Sequence, residues 1–362
     1  MEGLPMSESF SVSSKVRGLY HVHFIDDIRL SLACMSERKN IVFVIDEKLA
    51  SLFKDELSVI MTDCRYILIS CSEEHKTINY AQEVIRELIK VNIRKDDTLV
   101  AVGGGITQDI VTFIASVLFR GLDWKFYPTT LLAQCDSCIG SKSSINFDQY
   151  KNLIGTFNPP SEIFIYAGFL NTLTESEIRS GIGEMLHYYF TEGINLAQEV
   201  SDKFDSLLTD RTILPYFISN SLRIKKKIIE IDEFDTSIRH IFNYGHTFGH
   251  ALEAITDYAF PHGQAISLGM DLANYISLQK RMITEDQFAE MHAILVKNIP
   301  SFTFTSENIA AYFNALAKDK KNKGSQLGSI LTFGPGKVEK VFVDMDEKLK
   351  ALILEYSKTY AN

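Results

Sequence analysis

The first 170 residues alternate short apolar runs with segments of helical spacing, and this alternation constrains the fold more than any other feature. NIVFVID (40–46), YILIS (66–70) and TLVAVGGG (98–105) read as buried strands. TINYAQEVIRELIKVNI (77–93) and ITQDIVTFIASVLF (106–119) read as helices, and WKFYPTTLL (124–132) as a further strand closed by Pro128. This order predicts a parallel sheet with helices on its faces. Beyond residue 170 the period changes. TESEIRSGIGEMLHYYFTEG, NLAQEVSDKFDSLL, PYFISNSLRIKKKIIEID, GHTFGHALEAITDY and GQAISLGMDLANYISLQKRM all carry helical spacing, while GSILTFGPGKVEKVFVD (328–344) predicts a strand pair. A chain of 362 residues is long for one core. Two domains are expected, 1–170 and 171–362.

Composition excludes several classes. A net charge of −9 argues against a general nucleic-acid binder, though a local basic pocket for an anionic metabolite is compatible with it. No apolar run reaches the roughly 18 residues of a membrane span. The first residues lack the charged and apolar regions of a secretory signal. Five cysteines is an odd, low count, so a reduced, cytoplasmic setting is expected. Cys135 and Cys138 form a lone C-x-x-C without a second pair to complete a zinc site, so they read as small buried residues.

Three groups of residues carry chemistry. The stretch 239–263 holds His246, His250 and His262, three of nine histidines. His246 and His250 share one helical face at a spacing of four. His262, between a Pro and a Gly, suits the end of a loop. Two imidazoles on one face and a third returning from a turn can enclose a divalent metal, with Glu184 as a carboxylate donor. Gly103, Gly104 and Gly105 end a strand and open a helix, a place where backbone N–H groups approach a phosphate. A tight turn without a ligand fits them equally well. Asp46 suits either ribose hydroxyls or a helix N-cap. A cationic and polar set includes Arg120, Lys142, Lys151, Lys225, Arg239 and the pair Lys320–Lys321. Arginine favours bidentate capture of carboxylate or phosphate.

Seven motifs in order resemble those of the 3-dehydroquinate synthase family, within the sugar phosphate cyclases. They are GGGITQD (103–109), RGLDWKFYPTTLL (120–132), DSCIGSK (136–142), KNLIGTF (151–157), FLNTL (169–173), RHIFNYGHTFGHALE (239–253) and HGQAISLGM (262–270). The resemblance covers about residues 40 to 340.

That resemblance implies a Rossmann-like, parallel-sheet N-terminal domain and a mainly helical C-terminal domain, with the active site in the cleft. It implies that Glu184, His246 and His262 bind zinc or cobalt, and that His250 is a catalytic group beside the phosphate. Asp46, Glu73, Lys76, Gly104, Gly105, Asp109, Thr129, Thr130, Thr172 and Leu173 would line an NAD site. Asp136, Lys142, Lys151, Asn152, Lys225, Arg239, Asn243 and Lys320 would hold a sugar phosphate. Arg120 would reach the site of a second subunit, which implies a homodimer. The implied reaction converts 3-deoxy-arabino-heptulosonate 7-phosphate to the carbocycle 3-dehydroquinate with loss of phosphate. NAD is used and regenerated within one cycle.

The chain departs from the family pattern in places. Where Glu-x-x-Lys is usual it has Glu184-Met-Leu-His187. His187 is shorter and titratable, would stand beside the substrate hydroxyls, and at three residues from Glu184 can approach the metal. Ser141, Tyr150, Gln264 and Gln108 also replace usual residues. These changes bear on the substrate more than on the reaction class. A specialised cyclase acting on glucose 6-phosphate, sedoheptulose 7-phosphate or an amino-substituted acid is the alternative. A metal-dependent polyol dehydrogenase is a further one.

Overall fold

The computed structural model describes residues 8–148, 150–318, 322–324 and 326–360. The chain forms two compact units. One comprises residues up to Leu173 together with Arg211–Phe234, and the other comprises Thr174–Asp210 and Asp235 onward.

In the first unit the strands are β1 (Phe10–Ser14), β2 (Gly18–Phe24), β3 (Ile41–Asp46), β4 (Arg65–Ile69), β5 (Thr98–Gly103), β6 (Asp123–Pro128), β7 (Lys142–Phe147), β8 (Tyr150–Phe157) and β9 (Glu162–Ile165). Seven of them build one sheet in the order β1-β2-β9-β6-β5-β3-β4. Its pairs from β2 to β4 are parallel, and only β1–β2 is antiparallel. β3 is buried along Ile41–Ile45, as a strand covered on both faces must be. The expected parallel sheet is therefore present, with helices at Ile78–Lys90 and Gly105–Val117. β6 ends at Pro128 rather than at 132, because the chain turns through Thr129 into the short π-helix Ala133–Ser137.

A polar knot joins β2, β6 and β9. Glu162 takes Lys125, Arg38 (2.7 Å) and His23 (3.5 Å) as partners. His23, then Lys125 and Arg38, hold the Glu162 carboxyl below its usual range against the opposing effect of burial. A depressed carboxyl contributes stability above its unfolded pKa, near 4.3, and loses it as pH falls through the folded value. Glu162→Gln is therefore expected to cost about 2 kcal/mol at neutral pH, since it leaves buried Lys125 without its counter-charge. The penalty should shrink in acid. A urea midpoint equal to the parent's at pH 7 contradicts this.

The second unit is mainly helical. Its central helices are Glu175–Glu192, His246–Ile255 and His262–Gln279, with the antiparallel pair β10 (Gln326–Thr332) and β11 (Val338–Asp344) as expected. The segment Arg211–Phe234 departs from the expected boundary by folding with the sheet unit. Its anchors are non-local: Lys225 Nζ donates to Asp136, Ser221 Oγ donates to the Cys135 carbonyl at 2.9 Å, and Glu233 accepts from Ser14 Oγ at 2.7 Å. Among the described residues no helix is long and apolar enough to cross a membrane.

Candidate metal and nucleotide sites

Glycines shape the candidate metal site by letting three helices touch. A Cβ on Gly183 would lie 1.9 Å from the Gly263 carbonyl oxygen, so helices Glu175–Glu192 and His262–Gln279 meet backbone to backbone. That contact sits next to Glu184 on one helix and His262 on the other. Gly245, at φ +79°, turns the chain into His246–Ile255, and a Cβ on Gly269 would lie 2.0 Å from its carbonyl oxygen. The His246–Ile255 helix is thus pressed against the one that begins with His262. The structure places His262 directly after the loop that ends at Pro261, as the first residue of a helix. Gly263 serves the helix crossing rather than a turn.

The result is a cluster of donors. Ligand nitrogens of His246, His250 and His262 lie within 4.8 Å of one another. Glu184 Oε1 lies 3.0 Å from His262 Nε2 and 3.7 Å from His246 Nε2. Glu184 is 2% exposed, and Oε1 makes no well-formed hydrogen bond. A buried carboxylate oxygen facing imidazole nitrogens fits a divalent cation. Burial pushes Glu184 up, but the imidazoles of His187, His262 and His246 outweigh it and hold the carboxyl well below its usual value. Burial drives His246 well below the usual imidazole value, making it a neutral donor. His262 goes the other way. Burial lowers it, yet Glu184 and Glu253 raise it to about 10.

Glu253 was not singled out by its sequence, although it ends the GHTFGHALE run. Its Oε1 lies 3.1 Å from His262 Nδ1, one helical turn beyond His250, and so directs Nε2 of that ring toward Glu184. Carboxylates behind metal-bound imidazoles fix orientation and tautomer. Glu253→Ala is expected to weaken zinc or cobalt binding by about 10–100-fold, measured by competition with a chelator. Unchanged affinity would show that Glu253 does not orient His262.

His187 is 1% exposed with Nδ1 3.1 Å from Glu184 Oε2, so it faces the carboxylate. Arg239 is buried on the turn Ile238–Asn243, and Asn243 Nδ2 donates to the His240 carbonyl at 3.0 Å. Lys320 lies outside the described residues.

In the sheet unit, Gly104 is the N-cap of Gly105–Val117 without a side-chain cap. A Cβ on Gly105 would meet only Ser137 Oγ, at 3.9 Å. An open helix N-terminus of this kind fits a phosphate. Thr129 N donates to the Gly103 carbonyl at 2.9 Å, and Thr130 Oγ1 accepts from Ala133 N at 3.2 Å. Asp46 acts as a cap, accepting from Lys48 N at 2.9 Å. Lys76 Nζ contacts Asp109 at 2.7 Å and Asn152 Oδ1 at 2.6 Å. Glu73 accepts from Asn146 Nδ2 at 2.8 Å, and Asn146 Oδ1 in turn accepts from Asn152 N. Thr172 and Leu173 follow β9 through the turn Ala167–Thr172. Lys225 Nζ is 2.7 Å from Asp136 Oδ1. Lys142 and Lys151 are exposed on the β7–β8 hairpin. Arg120 is exposed at φ +68°. Ser141, in the left-handed region at φ +68°, is held through its hydroxyl by buried Glu233. Cys135 and Cys138 are buried and unlinked, and burial pushes the Cys138 thiol up to about 12.

The same fold, a parallel-sheet unit with a mainly helical one, occurs in solved structures. 2-Deoxy-scyllo-inosose synthase, solved with carbaglucose-6-phosphate, NAD+ and Co2+, superposes with a TM-score of 0.86 at 23% identity over 96% of this chain and 100% of that one. The 2-epi-5-epi-valiolone synthase of Streptomyces hygroscopicus, solved with NAD+ and Zn2+, gives 0.83 at 23% identity over 96% and 99%. An iron-containing alcohol dehydrogenase from Corynebacterium glutamicum gives 0.63 at 14% identity over 98% and 97%. Sequence then narrows the class. The 3-dehydroquinate synthase N-terminal profile matches residues 66–180, and its C-terminal profile matches 181–322. The 3-dehydroquinate synthases of a Thermoanaerobacter species and of Campylobacter concisus are each 34% identical, over 80% of this chain and 82% and 83% of theirs. The chain belongs to the 3-dehydroquinate synthase family and is an enzyme of that type.

Proposed function

We propose that this enzyme converts 3-deoxy-arabino-heptulosonate 7-phosphate to 3-dehydroquinate with elimination of phosphate, using NAD and one zinc or cobalt ion. The observation that carries the reading is the buried Glu184 Oε1, without a well-formed hydrogen bond, beside His246 and His262. Glu184, His246 and His262 would hold the ion. Gly104 and Gly105 would take the dinucleotide phosphates at their helix N-terminus, with Asp46, Glu73, Lys76, Asp109, Thr129, Thr130, Thr172 and Leu173 around the rest of the cofactor. When bound, NAD supplies a reversible hydride acceptor and the ion supplies polarisation of the reacting oxygen.

The remaining chemistry belongs to this chain's side chains. Lys142, Lys151, Asn152 and Lys320 would bind phosphate and hydroxyl groups. Arg239 and Asn243 would hold a carboxylate. Lys225 is steered by Asp136, which fixes its ammonium as a directed donor. His250 is the exposed member of the three-histidine cluster, and its ring can hold a proton as phosphate departs. No net oxidation results. The test follows inorganic phosphate and cofactor absorbance together. Phosphate release without accumulation of reduced cofactor is expected. Reduced cofactor formed in step with product points instead to a polyol dehydrogenase.

One observation favours a second reading within the same class. His187 faces Glu184, which leaves the position without a free cation for substrate hydroxyls or carboxylate. A specialised cyclase acting on glucose 6-phosphate, sedoheptulose 7-phosphate or an amino-substituted acid fits that change. Relative turnover on a panel of four sugar phosphates separates the two. Arg120 would serve the second subunit of a homodimer, which sedimentation measures.

A further inference from the structure

His187 has no part in the donor cluster itself, yet it is among the most enclosed polar side chains of the helical unit. Its spacing of three from Glu184 puts both on one face of Glu175–Glu192. Tyr188 and Phe242 wall the imidazole, with ring centres at 3.9 and 6.0 Å, and His246 lies edge-on at 5.2 Å. Nδ1 is 3.1 Å from Glu184 Oε2, and neither ring nitrogen makes a well-formed hydrogen bond. Glu184 therefore has its two oxygens committed differently. Oε2 is turned to His187, and Oε1 is turned to His246 and His262.

We infer that His187 is a positioning residue of the metal site, gripping Glu184 by Oε2 so that Oε1 alone is presented to the ion. The inference rests on the metal reading given above. A free carboxylate can rotate about its last torsion and offer either oxygen or both. A buried imidazole nitrogen 3.1 Å from Oε2 restricts that freedom and favours a one-oxygen, two-nitrogen site with positions left open for substrate. The aromatic wall keeps the ring from turning away, so the grip is preorganised rather than formed on metal binding. Glu253 does the same for His262 from the other side.

The test measures zinc and cobalt affinity of the full chain by chelator competition, and the visible absorption of the cobalt form, which reports ligand geometry. His187→Phe keeps a ring in the space without a donor. It should weaken both ions by about 10–100-fold and change the cobalt spectrum. His187→Asn, whose amide N–H sits near the place of Nδ1, should recover most of the affinity. Parental affinity and an unchanged spectrum in His187→Phe overturn the inference. Should that variant not fold, His187→Asn is set against His187→Ala, and equal affinities overturn it. A parent protein that binds neither ion refutes the metal reading as well. A parent that binds while His187→Phe binds equally refutes only the positioning role.

Discussion

His246→Ala should lose bound metal and turnover together. His246 lies at the centre of the donor cluster, with ring centres of His187, His250 and His262 at 5.2, 5.3 and 5.5 Å. Burial also keeps its imidazole neutral, so little proton competition opposes the ion there. His262 is different, because between Glu184 and Glu253 it favours its proton. Without His246 the ion keeps only Glu184 and His262, and His262 is the ligand on which a proton competes with it. An affinity loss of at least about 10³-fold is expected, with turnover below detection, because polarisation by the ion is worth several kcal/mol. Circular dichroism should be preserved, since the side chain is partly exposed and packs mainly against other site residues. Full occupancy by zinc or cobalt in the variant would remove His246 from the ligand set.

How much of this was legible depended on the range of the interactions. β3, β4 and β5 are continuous apolar runs, and such runs have few other solutions. The H-x-x-x-H pair fell on one helical face as its spacing required. β1, β2 and β9 carry no such run: β1 and β9 are five and four residues long, and β2, at seven, mixes polar and apolar residues and gains its place from pairing. The segment Arg211–Phe234 reads as one more amphipathic helix. Only Asp136, Cys135, Ser14 and Ser141, far away in sequence, bind it to the sheet unit. Pro261-His262-Gly263 looked like a turn because Pro and Gly punctuate turns. Here Pro261 precedes a helix and Gly263 makes room for another, which a single sequence cannot distinguish. Glu253 and His187 act through other side chains, so their roles emerge only when the ring nitrogens are placed.

Gly183→Ala should collapse the site without touching a ligand. The added methyl would lie 1.9 Å from the Gly263 carbonyl oxygen and 2.6 Å from its Cα, both backbone atoms in the middle of a helix contact. No rotamer change relieves this; one helix must move, and packed interiors resist such movement. Small-to-large changes in a packed core cost about 1–3 kcal/mol when side chains can yield. With backbone against backbone at least about 4 kcal/mol is expected, a fall in melting temperature of roughly 10 °C. Any helix shift that accommodates the methyl also carries Glu184 away from His262, because each is the immediate neighbour of a glycine at the crossing. Metal affinity should therefore fall even in molecules that stay folded. Gly105→Ala is the contrasting change. Its methyl would meet nothing nearer than 3.9 Å, and alanine suits a first helical turn, so stability should stay within about 1 kcal/mol of the parent. What it should lose is NAD binding, since the methyl fills the approach that a phosphate needs at that helix N-terminus. Calorimetry on both variants, with NAD and zinc titrations, reads the two effects apart. Parental melting and metal affinity in Gly183→Ala would mean that the crossing is not what holds Glu184 against the histidines.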